Sequence, residues 1–178
     1  KDHSHCLIAW PCNHDLYKEQ IYAARLEVAN LANQISEEEE VLIYCNPNQL
    51  KECKSIISNN KITIIESKLD DSWMRDIAPI FYKEHNKLKT ASFNFNGYGK
   101  YPNFDNDNKI SEIISRQFKL NSTQIDMTLE GGAITYDDEG NFFTTESVLL
   151  NPNRGNTNKE LINRRLIDLF DLKKIIWF

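Results

Sequence analysis

No apolar run in this chain approaches the roughly 20 residues that a bilayer-spanning helix requires, so no membrane partner is expected. No long stretch is basic, and the formal net charge is −5. A surface that tracks phosphates, and with it nucleic acid as a partner, is therefore not expected either. The acidic balance suits a cationic small molecule, yet it suits most soluble proteins as well. No signal peptide is visible, because the polar start from Lys1 to His5 leads straight into a strand-like run. An initiator Met is absent too, which leaves room for residues upstream. No CxxC pair occurs among Cys6, Cys12, Cys45 and Cys53, so no common zinc pattern is present and no metal is expected. Cys6 and Cys45 lie in or beside apolar strands, where buried, reduced thiols are expected. A cytoplasmic setting follows from that cysteine usage.

What is present is enough for one globular domain with a real core: 178 residues, 40% hydrophobic and 26% charged. Leu7 to Trp10 reads as a short buried strand that Pro11 ends. Leu16 to Ile35 reads as a helix, with Ile21, Ala24, Val28, Leu31 and Ile35 on its inner face. The charge run Glu37 to Glu40 is expected to be a solvated connection. Val41 to Tyr44 and Ile62 to Ile65 read as strands around a helix that Asn46 caps, that Pro47 starts, and that runs to about Ser58. Strands alternating with helices make this part α/β.

The second half has another rhythm. Ile77 to Lys83 and Leu88 to Phe95 read as a hairpin turning at His85-Asn86, followed by a loop from Asn96 to Asn108. A helix from about Lys109 to Lys119 presents Ile110, Ile113, Ile114 and Phe118, and Ile125 to Leu129 is a strand. Ala133 to Tyr136 and Phe142 to Thr145 form a second hairpin. Asn158 to Phe170 is a helix, with Leu161, Ile162, Leu166, Leu169 and Phe170 inward. Placing Asp76 over Glu130, 54 residues later, superposes Ile80 on Ile134, Tyr82 on Tyr136 and the two hairpin turns. Self-similarity at a fixed period suggests a radial or stacked array of one supersecondary unit. In a radial array Asp76 and Glu130 would converge on one axis. Lys174 to Phe178 is expected to open a further unit as a strand without partner or cover, which reads as a cut end.

Leu69-Asp70-Asp71-Ser72-Trp73-Met74-Arg75-Asp76-Ile77-Ala78-Pro79 resembles the D-D-x-W-x-R-D-x-x-P stretch of agmatine deiminases and of the bacterial type of peptidyl-arginine deiminase. Ala9-Trp10-Pro11, Phe95-Asn96-Gly97-Tyr98-Gly99-Lys100-Tyr101-Pro102, Leu129-Glu130-Gly131-Gly132 and Leu150-Asn151-Pro152-Asn153-Arg154 agree in order. The resemblance covers all 178 residues but only about the first half of the family's usual length. It implies an α/β, pentein-type β/α propeller of ββαβ repeats, of which residues 1–178 would be one partial domain. It also implies hydrolysis of a guanidinium to a ureido group with release of ammonia, from agmatine to N-carbamoylputrescine, without any cofactor.

A guanidinium presents paired N–H donors that suit bidentate carboxylates. The resemblance assigns Asp76 the first substrate clamp, and Glu130 the orientation of a catalytic His together with support for its cationic form. It assigns Trp73 the wall of the guanidinium slot, and Asp71 either substrate contact or the cap of the turn before Trp73. Arg75 is expected to make a structural ion pair, and Asn153-Arg154 to serve turn chemistry. In the family a Cys thiolate attacks the guanidinium carbon, ammonia leaves, and water hydrolyses the amidino-thioether. None of the four cysteines matches that nucleophile, and none of His3, His5, His14 and His85 matches the catalytic His. The 178 residues alone are therefore expected to be inactive. Peptidyl-arginine or arginine as substrate, a non-catalytic guanidine- or amine-binding domain, and a homo-oligomer remain open.

Overall fold

The computed structural model describes residues 3–178. It divides into two compact units: residues up to Met74 together with Asp105–Asp107, and Arg75–Phe104 together with Asn108–Phe178.

In the first unit β1 (His5–Ala9), β2 (Glu40–Cys45) and β3 (Ile62–Glu66) form a parallel sheet in that order. β2 is the central strand and is buried from Val41 to Cys45, as a strand covered on both faces must be. The predicted first helix is broken into α1 (His14–Tyr17), a 3-10 turn at Lys18–Gln20 and α2 (Ile21–Ile35). Val28 and Ile35 pack against the core as expected, and Leu31 does not. Arg25, Ala29 and Ala32 are buried, whereas Leu31 is 51% exposed. The two alanines let the helix lie close to the sheet, where they pack with Trp10, Val41, Ile43, Cys53, Ile57 and Ile62. Arg25 can enter because Glu52 meets its Nη1 at 2.5 Å and the Pro11 carbonyl accepts from its Nε at 3.0 Å. A 3-10 turn, Pro47–Gln49, precedes α3 (Leu50–Ile56). Pro47 starts it as expected, but the Asn46 side chain does not cap it. It accepts from the Leu69 amide at 2.9 Å and donates to the Leu69 carbonyl at 3.0 Å.

The chain then passes through a single helical turn, α4 (Met74–Ile77), where a strand was expected to begin. The second unit holds β4 (Ile80–Glu84), antiparallel to β5 (Lys87–Asn94), then α5 (Asp107–Gln117), then β6 (Ser122–Thr128), parallel to β5. Within α5, Ile110 and Ile114 are buried with Ser111 and Ser115, while Ile113 is exposed. The pattern repeats. β7 (Thr135–Tyr136) is antiparallel to β8 (Asn141–Thr144), α6 (Glu146–Leu149) and α7 (Lys159–Phe170) follow, and β9 (Lys174–Trp177) lies parallel to β8. Each set is therefore hairpin, helix and parallel strand. β9 completes the second set by pairing with β8, so the expectation of an unpartnered strand opening a further unit is corrected. Ala91, Phe93, Met127, Leu129, Ile134, Phe142, Leu149, Ile162 and Leu166 form one core under both sets. Among the described residues no helix is long and apolar enough to cross a membrane.

Candidate active site

Asp76 and Glu130 hold equivalent places in the two repeats of the second unit. Asp76 lies in α4, which leads into β4; Glu130 opens a 3-10 turn, Gly131–Ala133, which leads into β7. Each acid thus stands on one helical turn just before a hairpin.

The Gly131-Gly132 pair brings the two places together. A Cβ on Gly131 would lie 2.1 Å from the Arg75 carbonyl oxygen, and one on Gly132 would lie 2.3 Å from Asp76 Oδ1. Only glycine permits such an approach. The Gly132 N–H then donates to Asp76 Oδ1 at 2.9 Å, and the Tyr98 hydroxyl donates to Asp76 Oδ2 at 2.6 Å. Each carboxylate oxygen has room for a second donor, because an ionised carboxylate offers about four acceptor sites. Arg75 donates its Nη2 to the Ile134 carbonyl at 3.2 Å, in place of the expected ion pair.

Glu130 is 2% exposed. Arg154 meets it from a turn, Pro152–Arg154, that Asn151 caps by accepting from the Asn153 amide. Arg154 Nε and Nη2 both point at Oε1, at 3.0 and 2.9 Å. Glu130 Oε2 is buried and has no hydrogen-bond partner among the described residues. A buried charged acceptor left without a donor costs about 1–3 kcal/mol or more, so a site that keeps one is set up for an incoming donor. The Arg154 guanidinium also lies 5.8 Å from the centre of the Tyr98 ring. The two acids are therefore joined in one chain of contacts, from Asp76 through Tyr98 and Arg154 to Glu130. Sequence reasoning missed Tyr98 and Arg154 as members. The signal was that both stood in family-like stretches, Tyr98 without a task and Arg154 with turn chemistry as its expected one.

Asp71 and Trp73 belong to the first unit. Asp71 is buried; its Oδ1 accepts from the Ser72 amide at 2.8 Å and its Oδ2 from Asn13 Nδ2 at 3.2 Å. That is the turn-capping task foreseen as one of its two roles. Trp73 is 45% exposed. Beside them, Asp70 and Asp107 clasp each other's backbone. Asp107 accepts from the amides of Asp70 and Asp71, and Asp70 accepts from those of Asn106 and Asp107. Burial pushes the Asp107 carboxyl up to about 7, ahead of the opposing effect of the two amides it accepts from.

Cys12, Cys45 and Cys53 are buried, and Cys6 is half-buried. Burial, reinforced by Asp107, Asp71 and Asp70, raises Cys12 to about 12. Burial and Glu39 raise Cys6. Cys45 is lowered by a hydrogen bond from Cys53, but it is fully enclosed, and a reactive thiolate must be reachable.

Comparisons with known proteins bear on the family and the fold. The family described as Porphyromonas-type peptidyl-arginine deiminase matches residues 1–178. A protein of Mycoplasma capricolum that carries agmatine deiminase as a provisional name is 30% identical over 182 residues, covering 98% of this chain and 50% of that protein. The structure of agmatine deiminase of Enterococcus faecalis superposes with a TM-score of 0.93 at 25% identity, covering 99% of this chain and 50% of that one. A substrate-bound cysteine-to-serine variant of C. jejuni agmatine deiminase superposes at 0.84 with 28% identity, covering 99% and 53%. The α/β fold is thus shared with these structures. The chain spans about half the length of the curated relatives it matches.

Proposed function

Because the chain belongs to the Porphyromonas-type peptidyl-arginine deiminase family, we propose that it forms the guanidinium-holding part of a hydrolase that converts agmatine to N-carbamoylputrescine and ammonia. The observation that carries this is the joined pair of acids: Asp76, with acceptor sites left on both oxygens, and Glu130, with a buried oxygen lacking a donor.

In this proposal Asp76 takes two N–H groups of the planar cation, fixing its plane and holding the carbon for attack. Glu130 Oε2 accepts from a catalytic His and favours its cationic form. The nucleophile is a Cys thiolate, which displaces ammonia to leave an amidino-thioether that water hydrolyses. The enclosed or raised state of Cys6, Cys12, Cys45 and Cys53 supports a nucleophile outside these residues. A substrate-bound cysteine-to-serine variant among the similar structures fits that view. We further propose that the two hairpin–helix–strand sets are members of a pentein propeller, that the setting is cytoplasmic, and that no cofactor takes part.

The test is incubation of the complete gene product with agmatine, free arginine and a peptide containing arginine. Ammonia and N-carbamoylputrescine from agmatine, with none from the 178-residue chain alone, are expected. Turnover by the 178-residue chain would show that the nucleophile is misassigned. Turnover confined to the peptide would favour the substrate that the family description names. Binding of agmatine by the complete product without turnover would favour a non-catalytic guanidine-binding domain.

A further inference from the structure

Two family-like stretches, Phe95 to Pro102 and Leu150 to Arg154, have no task in the reaction described above. Their loops are locked together. Asn96 Nδ2 donates to the Asn153 carbonyl at 2.7 Å, and a Cβ on Gly99 would meet that same oxygen at 2.7 Å. Between two glycines of positive φ, Tyr98 itself has φ 61°. A bulky residue there is strained, and the strain persists only where the surroundings impose it. The edges of Phe95 and Tyr101 flank its ring, at 5.2 and 6.2 Å between centres. The strained residue carries the hydroxyl that meets Asp76 Oδ2, and the opposite loop carries the guanidinium that meets Glu130 Oε1.

We infer that Tyr98 and Arg154 are positioning residues that set the two acids for different steps: Tyr98 aims Asp76 for binding, and Arg154 aims Glu130 for proton transfer. This rests on the proposed deiminase function. Tyr98 takes one acceptor site of Oδ2, as the Gly132 amide takes one of Oδ1, so that the remaining sites face in a common direction. Arg154 donates its Nε to Oε1 and sets Nη2 beside the same oxygen as an ion pair, which fixes the carboxylate rotation and keeps Oε2 for its partner. A lysine has no rigid planar fork and cannot reproduce that combined contact.

The test is steady-state kinetics of the complete gene product with agmatine, for Tyr98→Phe, Arg154→Lys and the double variant. Melting temperatures are measured on the same preparations, and assays are run well below them. Tyr98→Phe is expected to raise KM about tenfold with kcat within about threefold, since it weakens a binding group. Arg154→Lys is expected to lower kcat at least about tenfold with KM within about threefold. The loss in kcat/KM of the double variant is expected to fall short of the product of the single losses, because the two side chains touch. Wild-type kcat and KM in both single variants would overturn the inference while leaving the deiminase function standing. So would kcat and KM changes that only follow a lowered melting temperature, which is what a purely structural role predicts. A wild-type protein that neither hydrolyses nor binds agmatine overturns the proposed function, and this inference with it.

Discussion

At the scale of single residues, the site depends on how close Gly132 comes to Asp76. Its missing side chain leaves the space that the Asp76 carboxylate occupies, and its amide is one of that carboxylate's two donors. Gly132→Ala must push the carboxylate away, because a Cβ cannot sit 2.3 Å from an oxygen. The expected result is a rise in KM for agmatine of at least about tenfold in the complete gene product, read by initial rates. An unchanged KM would mean that Asp76 does not hold the substrate where we place it. Asp76 and Glu130 stood out in the sequence through the repeat that superposes them and through the resemblance of Trp-x-Arg-Asp and Glu-Gly-Gly to the family's stretches. Tyr98 and Arg154 did not, because their partners lie 22 and 24 residues away and no local pattern encodes those pairings. Thiol exposure offers a separate check. Cys12, Cys45 and Cys53 are expected to resist alkylation in the native protein, with Cys6 modified first, as read by peptide mass analysis.

At the scale of elements, local signals were reliable where the backbone itself sets the rule. Asn158 was expected to begin a helix, and its side chain accepts from the Leu161 amide at 2.8 Å at the start of α7. Asn158→Ala is expected to cost about 1 kcal/mol, read as a lower urea midpoint, because α7 carries Ile162 and Leu166 into the core of the second unit. No change would mean that the cap is redundant. Signals based on hydrophobicity alone were less reliable. In α2 the apolar spacing placed Val28 and Ile35 rightly and Leu31 wrongly, and it did not foresee Ala29, Ala32 and a charged Arg25 as the buried residues. Small size and a partner for the charge, neither visible in a period of 3.6, let those three turn inward. Asn46 shows the same limit, since its side chain had a distant backbone to hold instead of its own helix.

At the scale of the whole molecule, a repeat of strand, acid, hairpin and helix was expected from two matched positions and a shared turn, and the second unit repeats hairpin, helix and parallel strand. The last strand was expected to lack a partner and pairs with β8, and a helical turn stands at Met74–Ile77 where a strand was expected to begin. The first unit contributes a pH dependence of its own. Asp107 is raised from 3.8 to about 7, so the folded chain holds a proton there that the unfolded chain releases earlier. Its contribution to stability is complete at low pH and is lost as pH rises through that window, then stays flat. Urea unfolding of Asp107→Asn against the wild type, at steps from pH 4 to pH 8, is expected to remove this slope; parallel curves would contradict it.

The most direct test is a structure of the complete gene product with agmatine bound. Guanidinium nitrogens are expected about 2.7–2.9 Å from the Asp76 carboxylate, with Tyr98 and Gly132 still donating to it and a new donor on Glu130 Oε2. Agmatine seated elsewhere, with Asp76 contacted only by Tyr98 and Gly132, would contradict it.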